Sequence, residues 1–198
     1  MTEPAVIRPY RAVDRSAVYD VCVRTAAAGG DARGIYSSDD LMPDVFAGPY
    51  VDLEPDLAFV VLGENAGAGE RASGYIIGTA DTRRFVERVR TAWLRGFAGR
   101  YSVVTPADRP IVAMGMHPER MLIAEVDEYP AHLHIDLLPQ VQGRGYGRAL
   151  VETLVAELRR RGVPGLHLMM DPANLGARAF YDRLGFTKLP SGALGLRL

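Results

Sequence analysis

The most constraining feature of this chain is a predicted strand that leads through a glycine-rich turn into a long amphipathic helix. The strand covers Ala131 to Leu138, and the turn reads Gln142-Gly143-Arg144-Gly145-Tyr146-Gly147-Arg148. In the helix that follows, predicted from Gly145 to Arg161, Leu150, Leu154 and Leu158 recur at the spacing of one buried face. A strand, a tight turn and a helix in this order predict an α/β fold with the turn at the end of a sheet strand.

The glycines of this turn favour an anion-binding site. Glycine lets the backbone approach a ligand closely, and the N-terminus of the following helix adds positive potential. Arg144 and Arg148 contribute positive charge, so a pyrophosphate-sized anion fits the pattern, although glycines also serve tight turns through geometry alone. A dinucleotide fingerprint and a Walker loop are both excluded, because neither Gly-x-Gly-x-x-Gly nor Gly-Lys-Ser/Thr is present here.

The rest of the chain alternates predicted strands and helices without an internal repeat, which favours a single domain over 1–198. The first half is predicted to begin with a strand at Ala5 to Tyr10 and a helix from Asp14 as N-cap to Gly29-Gly30, whose buried face contains Val18, Val21, Cys22 and Thr25. A short helix is predicted to start after Ser37 to Asp40 and to be closed by Gly48-Pro49. Two antiparallel strands are then predicted, Leu57 to Leu62 and Gly74 to Ala80, joined by the loop Gly63 to Gly69. The second half is predicted to contain a helix from Thr82 to about Arg100, helical pieces and loop from Ser102 to Pro130, a strand at Gly165 to Met170, a helix from Asn174 to Leu184, and two short final strands.

Composition narrows the class of protein. The chain has 198 residues and a net charge of −1, and its single cysteine excludes an internal disulfide. Four scattered histidines give no zinc-type cluster, so we expect no metal site. No apolar run is long enough to span a membrane, and the near-neutral charge disfavours nucleic acid, so we expect a cytoplasmic location without membrane or nucleic-acid partners.

Two segments carry a resemblance to a known family. Gln142 to Gly147 matches the Gln/Arg-x-x-Gly-x-Gly/Ala acetyl-CoA signature of the GNAT superfamily of N-acetyltransferases, and Asn174 to Phe186 resembles its second motif. The segments Gly74 to Thr79, Ile135 to Pro139 and Phe180 to Gly185 most resemble the acetyltransferase-like C-terminal domain of O-GlcNAc hydrolase and its free-standing bacterial relatives. The resemblance implies the GNAT fold, a central mixed and mostly antiparallel sheet flanked by helices, here with an insert of about 81–130 between the third and fourth strands.

The resemblance also implies an enzyme that transfers an acetyl group from acetyl-CoA, as co-substrate, to a primary amine of a small molecule or peptide by direct attack. Backbone N–H groups around Leu137 and Leu138 would hold the pantetheine and the acetyl oxygen. Tyr181 matches the family's tyrosine, the usual general acid, with core packing as its alternative; Asn174 is a pantetheine contact, an N-cap, or both. The implied coenzyme-binding residues are Leu137, Leu138, Gln142, Gly143, Arg144, Gly145, Tyr146, Gly147, Arg148, Asn174 and Tyr181.

The general base follows from the residues rather than from the family. His132, His134 and Asp136 alternate with apolar residues, so in an unbroken strand all three face one side of the sheet. A histidine or carboxylate there can accept the amine's proton, and Asp136 and His134 are our candidates. A strand bulge would turn part of the row away, and a polar group can also lie in a strand because it has a hydrogen-bond partner.

The insert is predicted to have a function, because loops of this length are uncommon in compact domains. It either walls the acceptor pocket or forms a homodimer surface. Its acidic end, Glu119 to Glu128, would favour a cationic acceptor, although a solvated face explains such a run as well. The competing function is an acetyl-CoA-binding or partner-recognition domain without turnover.

Overall fold

The computed structural model describes residues 6–63, 71–170 and 174–198, and within them one mixed sheet with helices on both faces. Its strands are β1 (Ile7–Pro9), β2 (Ala58–Leu62), β3 (Ala72–Thr79), β4 (Ala131–Leu137), β5 (Gly165–Leu168), β6 (Thr187–Lys188) and β7 (Leu194–Arg197). Their order is β1-β2-β3-β4-β5-β7-β6, and every neighbouring pair is antiparallel except β4 with β5. The predicted mixed, mostly antiparallel sheet is therefore confirmed. Ala5 and most of the predicted loop Gly63 to Gly69 lie outside the described residues.

The two parallel strands separate soon after they meet. They pair only through Ala131 with Leu166 and His132 with His167, whereas β4 continues to Leu137 along β3. Beyond His132 the edge of β4 that faces β5 is therefore open, and this splay forms the cleft described below.

The helices are α1 (Arg15–Thr25), α2 (Leu41–Phe46), α3 (Gly48–Leu53), α4 (Thr82–Arg88), α5 (Leu94–Arg100), α6 (Asp108–Met116), α7 (Tyr146–Arg160) and α8 (Leu175–Arg183). Short 3-10 turns lie at Ala12–Asp14, Pro55–Leu57, Pro118–Met121 and Pro139–Val141. Among the described residues, no helix is both long and apolar enough to cross a membrane.

Strand β4 separates the two halves of the core. Leu133 packs with α7 and α8 on one face, with Ile135 and Leu137 alongside. His132, His134 and Asp136 face the other side, where they contact Tyr50 and Tyr75. The β3–β4 register runs unbroken over this stretch, so the prediction that the three polar residues share one face is confirmed.

Helix α1 is shorter than predicted. Asp14 occupies its N-cap position, as predicted, but the side chain makes no capping hydrogen bond to the helix. The Asp14 carboxylate accepts hydrogen bonds from the Arg8 guanidinium at 2.7 and 2.8 Å and from the Arg11 N–H at 2.8 Å, so it stabilises the preceding turn instead. The helix ends at Thr25, before Gly29-Gly30. Its predicted buried face is confirmed at Val18, Val21, Cys22 and Thr25.

The predicted short helix is α2, which starts at Leu41 and ends at Phe46, just before Gly48-Pro49. Gly48-Pro49 also starts the next helix, α3, which was not predicted. Proline is tolerated in the first helical turn, where its missing N–H has no partner to lose, and Pro49 stands there in α3.

The predicted helix from Thr82 to Arg100 is broken by a π turn at Val89–Trp93. The apolar residues Phe85, Val89, Trp93 and Phe97 recur every four residues, a spacing that drifts by about 40° per step in a regular α-helix. A wider turn offsets this drift, and Trp93 there donates its indole N–H to the Asp44 carbonyl at 3.1 Å.

Candidate active site

The glycine-rich turn connects β4 to α7 in a conformation that requires glycine. Gly143 and Gly145 have φ angles of +70° and +87°, in the left-handed region. A methyl group added at either position would meet no atom of the described residues within 4 Å, so both glycines border open space in that part of the structure. Gly147 differs, because an added Cβ would lie 3.2 Å from a Leu137 methyl carbon and 3.3 Å from the Phe180 ring. The turn is thus open toward the cleft and tightly packed behind it.

The amides of this turn are available to a ligand. Within the described residues, the N–H groups of Gly143, Gly145, Gly147 and Arg148 donate to no protein acceptor. The first bond of α7 runs from the Ala149 N–H to the Gly145 carbonyl at 3.0 Å, so the amides before it lie at the positive end of the helix dipole. Open amides, a helix N-terminus and empty space together fit the diphosphate of a coenzyme A thioester.

Both arginines of the turn are exposed. Arg144 lies exposed in the turn and Tyr146 is half-buried against the α7–α8 side of the core. Arg148 is exposed and lies 3.7 Å from Glu152, an i,i+4 pair of small energetic weight. Gln142 donates its side-chain amide to the Leu137 carbonyl at 2.7 Å and so holds the turn against the end of β4.

Of the two predicted β4 amides, the structure leaves one available. The Leu138 N–H donates to the Ser73 carbonyl on the β3 side at 2.9 Å, so the expectation that it binds the acyl donor is wrong. Backbone groups alternate between the two edges of a strand. The N–H of Leu137 therefore points to the open edge, the same edge at which its carbonyl meets Gln142.

The splay encloses a cleft of about 750 Å³ between the turn, the end of α1 and helix α8. Leu137, Gln142 and the glycines of the turn line one part of it, and Asn174, Phe180 and Tyr181 line another. Thr25, Ala28, Gly29 and Asp136 close the α1 side. The structure thus brings most of the predicted binding residues, Tyr181 and Asp136 into one cavity.

Asp136 is a half-buried carboxyl group at the α1 side of the cleft. Its carboxylate accepts a hydrogen bond of 2.5 Å from the Tyr75 hydroxyl. Burial raises its pKa, and the hydrogen bond from Tyr75 offsets only part of that rise. A carboxylate with a raised pKa is a stronger base than an exposed aspartate.

Tyr181 faces the same cleft from α8. Its ring makes edge contacts with Phe180 and Phe186 at centroid distances of 5.1 and 5.3 Å. Within the described residues, its hydroxyl makes no hydrogen bond. Burial, and secondarily the negative charge of Asp136, raise the pKa of Tyr181, so the phenol keeps its proton at neutral pH. Packing and an available hydroxyl therefore coexist in this residue.

Asn174 takes the capping position of α8. Its side-chain oxygen accepts the Ala177 N–H at 2.9 Å, so the N-cap prediction is confirmed. Because Asn174 also lines the cleft, a contact with a ligand is compatible with this role.

Among the described residues, the lining of this cleft includes neither histidine of β4. His132 is buried and His134 half-buried, and both ring systems contact the Tyr50 hydroxyl. Burial lowers the pKa of His134 to about 3 and that of His132 also well below its usual value. Both side chains are thus neutral and weakly basic.

The acidic end of the insert is largely neutralised by arginine. Glu119 pairs with Arg90, Asp127 with Arg83, and Glu128 with Arg197. The fourth carboxylate, on Glu125, accepts the Ser191 N–H at 2.9 Å. This segment therefore offers less free negative charge to a cationic acceptor than its sequence indicated.

Sequence reasoning missed Tyr75 and Tyr50 as partners of the polar row. Tyr75 contacts Asp136 because the two residues are directly opposite in the β3–β4 register, and that pairing is set by tertiary structure. Tyr50 comes from α3, far away in sequence. An aromatic residue in an apolar strand or helix gave no local signal of either contact.

A mixed sheet that splays between two parallel strands, with an open amide turn at the mouth of the splay, defines the GNAT fold. Residues 37–186 match the sequence pattern of the Acetyltransferase (GNAT) family, and the chain belongs to this family. Acetyl-CoA is the acyl donor that this family uses.

Individual relatives agree with this assignment. The crystal structure of SsHAT is 52% identical, covers 98% of both chains and superposes with a TM-score of 0.88. Serotonin N-acetyltransferase 2, chloroplastic, from Oryza sativa subsp. japonica is 32% identical over 58% of this chain and 50% of that protein. A ribosomal protein alanine N-acetyltransferase of Escherichia coli is 46% identical over 25% of this chain and 34% of its own length. The matched regions thus span half or less of these two curated relatives.

Proposed function

We propose that this protein is an N-acetyltransferase that transfers the acetyl group of acetyl-CoA to a primary amine of a small molecule or peptide by direct attack. The observation that carries the proposal is the single cleft that joins the four open amides of the turn to the Tyr181 hydroxyl and the Asp136 carboxylate. The named relatives, which act on serotonin and on a ribosomal protein alanine, support an amine acceptor.

The binding half of this function rests on the backbone. The amides of Gly143, Gly145, Gly147 and Arg148 bind the diphosphate, and the open-edge N–H of Leu137 binds the acyl end. Gln142 holds the turn in place for both contacts, and Asn174 borders the arm between them.

The chemical half rests on two side chains. Asp136 accepts a proton from the amine as its nitrogen bonds to the thioester carbonyl carbon and the carbon–sulfur bond breaks. Tyr181 donates its proton to the departing sulfur, and the proton on Asp136 restores Tyr181 through solvent. The raised pKa of Asp136 favours it as the base over His134, whose pKa of about 3 leaves little driving force for accepting a proton.

Calorimetry with acetyl-CoA, followed by measurement of thiol release across a panel of primary amines, tests this proposal. We expect binding to the purified protein and acceptor-dependent release of thiol. Absence of acetyl-CoA affinity would remove the enzyme proposal. Binding without turnover on any amine would favour the competing function, an acetyl-CoA-binding or partner-recognition domain.

We propose that the chain is related to the acetyltransferase-like C-terminal domain of O-GlcNAc hydrolase and its free-standing bacterial relatives, on the strength of the segments Gly74 to Thr79, Ile135 to Pro139 and Phe180 to Gly185. We also propose that it acts in the cytoplasm and that it forms a homodimer. Sedimentation velocity of the purified chain tests the last point.

A further inference from the structure

Four polar side chains form a hydrogen-bonded chain beneath the α1 face of β4, and the proposed chemistry uses only the strand end beside them. Thr82 Oγ1 lies 2.7 Å from His132 Nδ1, and His132 Nε2 lies 2.6 Å from the Tyr50 hydroxyl. The same hydroxyl lies 3.1 Å from His134 Nε2. Thr82, His132 and Tyr50 are fully or almost fully buried, whereas His134 keeps part of its surface exposed.

The direction of the first hydrogen bond is set by a backbone carbonyl. Thr82 Oγ1 lies 2.7 Å from the Pro130 carbonyl oxygen, which can only accept. The Thr82 hydroxyl therefore donates its only hydrogen to the Pro130 carbonyl, and its oxygen accepts a hydrogen bond from His132 Nδ1. His132 thus carries its proton on Nδ1.

The remaining directions follow from neutral rings. Burial and the positive charge of Arg120 disfavour a second proton on either histidine. The unprotonated Nε2 of His132 accepts the Tyr50 hydrogen at 2.6 Å, in preference to the weaker acceptor Met121 Sδ at 3.3 Å. The Tyr50 oxygen must then accept from His134 Nε2–H.

The outer end of this hydrogen-bonded chain is therefore an unprotonated ring nitrogen of His134. With its proton on Nε2, His134 presents Nδ1 as an acceptor, and within the described residues no group donates to that atom. His134 is only half-buried, which leaves part of its ring open to solvent or a ligand. His134 stands two residues before Asp136 on the same face of β4, about 7 Å away along the strand.

We propose that Thr82, His132 and Tyr50 hold His134 in the Nε2–H tautomer, so that its Nδ1 accepts an N–H hydrogen bond from the primary amine acceptor beside Asp136. The acceptor contact rests on the proposed function, whereas the tautomer does not. Thr82, His132 and Tyr50 are positioning residues in this arrangement. His134 orients the amine, and Asp136 receives its proton.

The variant Tyr50→Phe tests the hydrogen-bonded chain, because it removes only the Tyr50 hydroxyl. The phenylalanine ring keeps the stacking on Phe85, which has a centroid distance of 4.4 Å, so packing changes little. We expect the amine KM to rise about tenfold, the worth of one oriented hydrogen bond, with a smaller change in kcat and no change in acetyl-CoA affinity. Tyr101→Phe is the matched control, because it removes a tyrosine hydroxyl that bonds Asp44 at 2.8 Å away from the β4 row.

Long-range proton–nitrogen NMR of the wild-type protein reads the tautomer directly, even if Tyr50→Phe fails to fold. We expect a protonated Nδ1 on His132 and a protonated Nε2 on His134. A protonated Nδ1 on His134, or an unchanged amine KM in folded Tyr50→Phe, overturns the proposal. If the wild-type protein transfers no acetyl group while the expected tautomers are observed, the proposed function and the acceptor contact fail but the positioning chain stands.

Discussion

At the residue scale, the pKa values of Tyr181 and Asp136, two of the ionisable groups that line the cleft, are both raised, and the consequences are opposite. Burial disfavours the charged form of each, and so it raises the pKa of both Tyr181 and Asp136. For the phenol, this keeps a proton available at neutral pH. For the carboxylate, it makes the ionised form a stronger base.

Replacing Tyr181 by phenylalanine tests the acid. We expect turnover to fall by roughly a hundredfold, in the range of a lost general acid, because the ring keeps its contacts with Phe180 and Phe186 but has no proton to donate. Calorimetry should give nearly the wild-type affinity for acetyl-CoA. Wild-type rates in Tyr181→Phe would remove this residue from the mechanism.

The pH dependence of turnover tests the base. As pH falls through the raised pKa of Asp136, the carboxylate takes up a proton and loses its function, so kcat/KM for the amine should decline on an acid limb whose midpoint lies above 3.8. Asp136→Asn should remove this limb and lower turnover by about a hundredfold. Rate profiles of both proteins with the same amine provide the comparison.

Thermal stability supplies the control for that variant. Because the folded-state pKa of Asp136 is raised, ionising this group above that pKa costs folding free energy, and stability falls as pH rises through it. Asparagine removes the charge and keeps an oxygen for the Tyr75 hydroxyl. The Tm of Asp136→Asn at pH 8 should therefore equal or exceed that of the wild type, and a lower Tm would mean that lost activity reflects unfolding.

At the element scale, the turn between β4 and α7 combines a conformational requirement with a binding surface. Gly145 has a φ of +87°, and an added Cβ there would meet no atom of residues 6–63, 71–170 and 174–198 within 4 Å. Gly192 has nearly the same geometry, with a φ of +90°, in the connection between β6 and β7. The two positions therefore carry the same backbone strain, and only Gly145 borders the cleft.

Alanine at each of these glycines separates strain from binding. Both variants should lose about 1 kcal/mol of folding free energy, the cost of a left-handed alanine. Only Gly145→Ala should weaken acetyl-CoA binding, by roughly tenfold, because its methyl group would project toward the space that the diphosphate needs. Differential scanning fluorimetry and calorimetry measure the two effects, and equal acetyl-CoA affinities in the two variants would contradict a binding role for the turn.

At the scale of the whole molecule, Asp44 of α2 anchors the insert. Its buried carboxylate accepts hydrogen bonds from Tyr19 of α1 and from Arg100 and Tyr101 of the insert. The insert in turn supplies Thr82, the inner end of the hydrogen-bonded chain to His134. The segment is thus tied to the α1 side of the cleft at two places.

Asp44→Asn should destabilise the protein by about 2 kcal/mol, because one amide oxygen replaces two charged acceptor oxygens in a buried network. For a chain of this length, that corresponds to a Tm lower by roughly 4 to 8 °C. Asp31→Asn, which breaks an exposed pair with Arg33, should leave Tm unchanged. A similar Tm in the two variants would show that the Asp44 network does not hold the insert.

Local sequence was sufficient for most elements and for the turn. Periodicity defined α7 and its buried face, alternation placed His132, His134 and Asp136 on one face of β4, and the glycine pattern predicted an open amide turn. These features depend on neighbours within a few residues, where backbone geometry and side-chain spacing act directly. The same local signals did not reveal that Gly48-Pro49 also starts a helix, because proline is compatible with a helix start and with the residues just after a helix end. They also did not reveal that the Asp14 carboxylate bonds Arg8 and Arg11 instead of the first turn of α1.

Tertiary structure alone decided which of these groups meet. The strand register placed Tyr75 against Asp136 and turned the Leu138 amide into the sheet, and α3 brought Tyr50 between the two histidines. Each of these contacts joins residues more than sixty positions apart in sequence. Burial, which shifts the proton affinities of Asp136 and His134 in opposite directions, is likewise a property of the packed molecule, and it separates a base from a neutral hydrogen-bond acceptor in one strand.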